Sequence, residues 1–88
     1  MDAQETRIAV ISIIVENEEA APELNAVIHE YSSFVVSRMG TTLLKTKGVN
    51  VICLVVDAPN DAISALSGKL GRINGVSVKT AYSAQRKE

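Results

Sequence analysis

Residues 8–15 read Ile-Ala-Val-Ile-Ser-Ile-Ile-Val, with Arg7 before them and the polar, acidic Glu16-Asn17-Glu18-Glu19 after them. A run this short and this rich in β-branched side chains is a strand rather than a helix. Its odd positions (Ala9, Ile11, Ile13, Val15) and its even ones (Ile8, Val10, Ile14) are both apolar, the pattern of a strand in the middle of a sheet. Residues 49–56, Val-Asn-Val-Ile-Cys-Leu-Val-Val, read the same way, with Val51, Cys53 and Val55 on one side and Ile52, Leu54 and Val56 on the other.

Between these runs Ala21, Leu24, Ile28 and Tyr31 recur at helical spacing, with Pro22 in the first turn and Glu18 and Glu19 near the helix's positive end. After the second run, Pro59, Asn60 and Asp61 supply start signals. Ile63, Leu66, Leu70 and Ile73 repeat the stripe until Asn74-Gly75 stops it. Phe34–Leu44 and Val76–Tyr82 remain as more polar extended segments, one after each helix. The order is β, α, β, β, α, β.

The halves match at a constant offset of 42 residues: Ile8 with Asn50, Leu24 with Leu66, Ile28 with Leu70, Val36 with Val78. Two right-handed βαβ crossovers interleaved in one sheet give strand order 4-1-3-2 with both helices on one face. The two strands that are apolar on both sides then fall in the centre, and two helices can cover only one of those sides. Four strands about 4.8 Å apart and roughly six residues long leave about 400 Å² of sheet in projection. An uncovered apolar patch of that size marks an interface, so self-association is expected.

Eighty-eight residues are expected to form one domain, because a chain this short cannot divide its core. An apolar fraction of 47% excludes general disorder, and a net charge of -1 removes the field that draws phosphate backbones. Direct nucleic-acid binding is therefore not expected. Met1–Thr6 is polar and acidic, and no apolar run exceeds strand length, so neither a leader nor a membrane span is expected and the cytoplasm is the expected location. A single cysteine, Cys53, cannot form an internal bridge.

Catalytic constellations are mostly missing, with one His, one Cys and carboxylates gathered at helix starts. His29 falls about 140° from the centre of the Ala21/Leu24/Ile28 stripe at about 100° per residue, on the polar face. Cys53, between Ile52 and Leu54, reads as a small buried hydrophobe. Ser67-Gly68-Lys69-Leu70-Gly71 has a Gly-Lys pair but lacks the earlier glycine and the following hydroxyl of a phosphate loop. Gly68 inside a helix costs about 1 kcal/mol relative to Ala, which suggests close backbone approach at an interface. Arg38 interrupts the second strand with charge and reads either as protection of an edge strand or as an anion anchor. Base-stacking aromatics and paired cysteines, which RNA-binding and metal-chaperone versions of such a fold require, do not occur on the central strands or near the first helix.

His29-Glu30-Tyr31, Arg38-Met39-Gly40, Val55-Val56-Asp57-Ala58-Pro59, the segment 64–71 and Gly75-Val76-Ser77-Val78-Lys79 together resemble the small family of candidate regulators of the iron-only hydrogenase system, over about residues 6–83. That family is ACT-like and is similar to the C-terminal sensing domain of the nickel-responsive repressor, a tetramer. The resemblance implies a regulatory role. In the nickel domain a helix-borne His is joined by two histidines on the next strand and a cysteine. His29 matches the first, but Gly40, Thr42 and Gly48 stand at the other positions, so that nickel square cannot form. Amino-acid-binding ACT domains place a glycine after the first strand, where this chain has Glu16-Asn17-Glu18-Glu19.

The expectation is therefore an α+β, ferredoxin-like βαββαβ (ACT-like) domain over residues 1–88, with a four-stranded antiparallel sheet and two helices on one face. It would be a homodimeric or homotetrameric regulatory or sensing module without enzyme activity, cofactor, metal or membrane contact, acting through an unknown small ligand or protein partner. No DNA-binding element of its own is expected, the segment before Ile8 being short. Candidate ligand or interface residues are His29, Arg38, Gly40, Gly68 and Lys69. Mutating Arg38 or Lys69 is expected to alter binding more than stability. The alternatives are a purely structural assembly domain or a small ferredoxin-fold enzyme such as an acylphosphatase or a cofactor-free oxygenase. Such an enzyme needs an anion-binding Arg in the first loop or a His among cavity aromatics, and this chain has neither.

Overall fold

The computed structural model describes residues 5–41 and 47–84. In chain order they form β1 (Arg7–Val15), a 3-10 turn (Glu18–Ala20), α1 (Ala21–Glu30), a second 3-10 turn (Ser32–Phe34), β2 (Val35–Thr41), β3 (Asn50–Ala58), α2 (Asn60–Gly71) and β4 (Val76–Tyr82). The sheet is antiparallel throughout with order β2-β3-β1-β4, the order that the two interleaved crossovers require.

Boundaries differ from the sequence expectation in a few places. Phe34 does not open β2. Its N–H donates to the Tyr31 carbonyl at 3.0 Å, so the chain closes one tight turn after α1 before it extends. Thr42–Leu44, expected at the end of β2, lie outside the described residues. β3 runs on through Asp57 and Ala58, which pair with Ile8 and Arg7. α2 ends at Gly71, yet Ile73 stays buried because the chain turns back over the core, its N–H reaching the Leu70 carbonyl at 3.2 Å.

The core lies between the helices and one side of the sheet. Ala9, Ile11, Ile13 and Val15 of β1 and Leu54, Val56 and Ala58 of β3 are buried against Leu24 and Ile28 of α1 and Ile63, Leu66 and Leu70 of α2. These side chains come from alternate strand positions and from helical stripes, so the two periodicities meet in one apolar layer. Ser67 of α2 and Thr80 of β4 share a hydroxyl hydrogen bond of 2.8 Å at the edge of that layer.

Gly75 makes the return from α2 to β4. Its φ is +83°, a conformation that glycine adopts without steric cost. It also lies so close to Asn17 that a Cβ on Gly75 would sit 2.6 Å from the Asn17 Cβ. The Gly75 carbonyl accepts from the Glu16 N–H at 2.8 Å, tying the β1–α1 connection to the α2–β4 turn.

Among the described residues no helix covers the other side of the sheet. Ile8, Val10 and Ile14 of β1 and Val36 and Met39 of β2 are exposed there. Cys53, expected to be buried, is instead half-buried on this side, with its sulfur 4.0 Å from the Ser12 hydroxyl. Its strand parity places it on the side opposite the helix-covered Leu54, and none of the described helices covers it.

Candidate functional site

Strand β2 is the edge beside β3, and its register decides what faces α1. Val35 pairs with Val56, whereas Ser37 pairs with Val55, Arg38 with Leu54 and Gly40 with Ile52. The irregularity between Val35 and Ser37 leaves Val36 as an extra residue, a bulge that shifts the alternation by one. Val35 and Arg38 therefore both face the helices, although three residues separate them, while Met39 opposite Cys53 faces the open side.

Across from Arg38, α1 presents Asn25, Ile28, His29 and Ser32 just beyond its end, a stripe at i, i+3, i+4 and i+7. Together with Val35 and Arg38 they line a cleft of about 520 Å³. An adjoining cleft of about 340 Å³ lies toward the start of α1 and the ends of β1 and β3. It shares Asn25 and Arg38 and includes Gly40 and Thr41. The Arg38 Nη2 donates to Asn25 Oδ1 at 2.8 Å, which holds the guanidinium between the two hollows.

The structure thus brings three of the five sequence candidates to one place. His29 and Arg38 share a cleft and Gly40 borders its neighbour. His29 is exposed, as helix geometry requires, but on the flank that looks along β2 rather than straight into solvent. Gly68 and Lys69 lie elsewhere, on α2. A Cβ on Gly68 would meet the end of the Arg72 side chain at 3.8 Å, ordinary contact, so the suggested close approach is not made within this chain. Lys69 donates to Glu30 Oε2 at 2.8 Å and stands 5.2 Å over the Tyr31 ring, joining the two helices. The Glu30 hydrogen bond, followed by that of Tyr31, raises the Lys69 pKa above its ordinary 10.5. A raised lysine pKa means that the pair's support for the fold is complete below the ordinary value and lost as pH climbs through the raised one. The group is exposed, so solvent screens that support.

Sequence reasoning passed over Asn25 and Ser32. Their signal was there, one helical turn to either side of His29 on one flank, but it has meaning only once β2 is known to run beside that flank. Among the described residues no three His, Cys, Asp or Glu side chains gather where a metal could be held; Thr42, one of the positions compared with the nickel site, lies outside them. Nor, among them, is any helix long and apolar enough to cross a membrane.

His29 has an exposed side chain, and its replacement should be nearly silent for folding. We expect His29→Ala to change unfolding free energy by under about 0.5 kcal/mol in urea titrations and to leave the mass in light scattering the same as that of the wild type. A larger loss of stability would show that the ring packs into the cleft rather than standing at its rim.

The profile of the TM1266-like family, described as "Iron-only hydrogenase system regulator, putative", matches residues 7–80. The chain belongs to this family. The chain is similar over 89% of its length to the uncharacterized protein TM1266 from Thermotoga maritima, with 38% identity, 98% of that structure covered and a TM-score of 0.84. Its fold is also that of the ACT domain from GTP pyrophosphokinase of Chlorobium tepidum, with 19% identity, 86% of this chain and 99% of that one covered and a TM-score of 0.72. The C-terminal domain of the MgtC protein from Mycobacterium tuberculosis shares it too, at 10% identity, 99% and 98% coverage and a TM-score of 0.70. No curated protein matches. The ferredoxin-like, ACT-like architecture expected of this chain is therefore the one it has.

Proposed function

We propose that this chain is a non-enzymatic regulatory module of an iron-only hydrogenase system, cytoplasmic, working as an assembly of its own copies and responding to a small ligand. Family membership supports the regulatory role, and the open side of the sheet supports the assembly. Ile8, Val10 and Ile14 are 37–43% exposed and Met39 63%. With half-buried Val51, Cys53 and Val55 they make an apolar band along the two central strands, interrupted by Ser12 and flanked by Ser77 and Lys79 of β4, on a sheet face of about 400 Å² in projection. A stable dimer buries about 800 Å² of accessible surface per partner. The exposed edge strand β2, which borders this face, extends the contact.

A second copy of the chain is the occupant that fits. Each copy carries the same unprotected surface, and a twofold pairing covers both at once. We expect light scattering to give a dimer or tetramer at micromolar concentration. Val10→Lys or Ile14→Lys should shift the mass to monomer while the circular dichroism spectrum is retained, because both side chains stand outside the core. A wild-type monomer at that concentration would sink the proposal.

A further inference from the structure

We infer that the cleft between α1 and β2 is a binding site for a small anionic molecule bearing a carboxylate or phosphate group, anchored by Arg38. The inference rests on reading the chain as a ligand-responsive regulatory module and supplies the chemical class of that ligand. The two adjoining hollows, about 520 and 340 Å³, have the size of small-molecule sites. Arg38 lines both, and among the described residues no aspartate or glutamate lines either. In a chain with 10 acidic and 9 basic residues, a carboxylate-free recess around a cation is a local reversal of the overall charge balance.

Pairing inside the chain distinguishes Arg38 from the other candidate cation. Lys69 is held by the Glu30 carboxylate. Arg38 meets the neutral Asn25 Oδ1, which uses one of its five N–H donors and leaves its charge uncompensated among the described residues. That contact fixes the guanidinium's direction, and its remaining donors suit a two-oxygen anion. The Asn25 amide nitrogen, the Ser32 hydroxyl and the His29 ring stand around the same cleft, while Ile28 and Val35 supply its apolar wall. Among the described residues a metal cation would find a like charge and no carboxylate there, and a nucleic acid would find a single arginine.

The test is a proton–nitrogen NMR titration of the full chain at constant ionic strength with inorganic phosphate and, separately, acetate, using chloride as the control. We expect saturable shifts at the amides of Asn25, His29, Ser32 and Arg38, and the probe that saturates first names the headgroup. Arg38→Gln should weaken that binding at least about tenfold, Arg38→Lys should retain an intermediate affinity, and Lys69→Gln should bind like wild type. Unchanged peaks outside the cleft confirm that each variant is folded.

The inference is overturned if neither anion gives saturable shifts in the cleft, or if Arg38→Gln binds as wild type does. It is also overturned if Arg38→Gln dissolves the oligomer with no anion bound, since Arg38 would then pair with a neighbouring copy. Light scattering on the same samples keeps the two readings apart. An oligomer that binds no anion removes the site and leaves the assembly standing, whereas a monomer that binds anions does the reverse.

Discussion

Leu54→Ala is expected to cost about 3 kcal/mol of folding free energy, within the range of about 2–5 kcal/mol seen for buried leucine truncations. Leu54 is 0% exposed, sits at the centre of β3 between Ile11 of β1 and Arg38 of β2, and faces the helices. Removing its isobutyl group takes apolar area from the core and leaves a hollow that two helices and a central strand cannot easily close. For a domain of this size each kcal/mol lowers the melting temperature by roughly 4–8 °C, so a fall of about 12–24 °C is expected. Total stability is typically about 5–15 kcal/mol, and the variant would keep its fold with a narrow margin.

The neighbouring residue is the informative control. Val55 faces the open side and is half-buried, so Val55→Ala should cost about 1 kcal/mol or less in dilute protein. If that side is covered by a second copy, the loss should grow with protein concentration, because a mutation at an interface acts through mass action. Equal costs for the two substitutions at every concentration would mean that the core is not divided between the faces as described.

Gly75→Ala should lower stability by about 2–5 kcal/mol, measured by urea unfolding, through two separable causes. The first is conformational: an L-residue at a φ of +83° costs about 1–2 kcal/mol. The second is steric, since the new Cβ would sit 2.6 Å from the Asn17 Cβ and 3.4 Å from its backbone nitrogen, and forced overpacking costs about 1–3 kcal/mol.

Asn17 has little freedom to retreat. Its Oδ1 accepts from the Glu19 N–H at 3.1 Å and its carbonyl from the Ala20 N–H at 2.9 Å, which together close the turn that starts α1. Asn17→Gly combined with Gly75→Ala removes the clash and leaves the φ cost, so the double variant should be more stable than the Gly75→Ala single variant by about 1–2 kcal/mol. A single variant within about 0.5 kcal/mol of wild type would show that the two loops are farther apart than they stand here.

Several properties of this protein were readable without coordinates. Alternation in residues 8–15 and 49–56, the helical stripes Leu24/Ile28 and Ile63/Leu66/Leu70, and the 42-residue repeat were enough for βαββαβ and for the strand order, because they depend on local periodicity and on the handedness of crossovers. The surplus apolar side of β1 was legible for the same reason: helices with one stripe each cover one face.

Tertiary structure alone decided where the polar side chains meet. His29 and Arg38 line one cleft because α1 lies along β2 and because the bulge at Val36 turns Arg38 toward it, and a bulge leaves no mark in an alternating pattern that tolerates one extra residue. Lys69, read as an equal candidate, is held by Glu30 from a different helix, a partner 39 residues away. Gly75 was visible as a helix stop, but its approach to Asn17 joins two loops 58 residues apart in the sequence. Such contacts depend on the relative placement of whole elements, which the packed core sets and no single segment encodes.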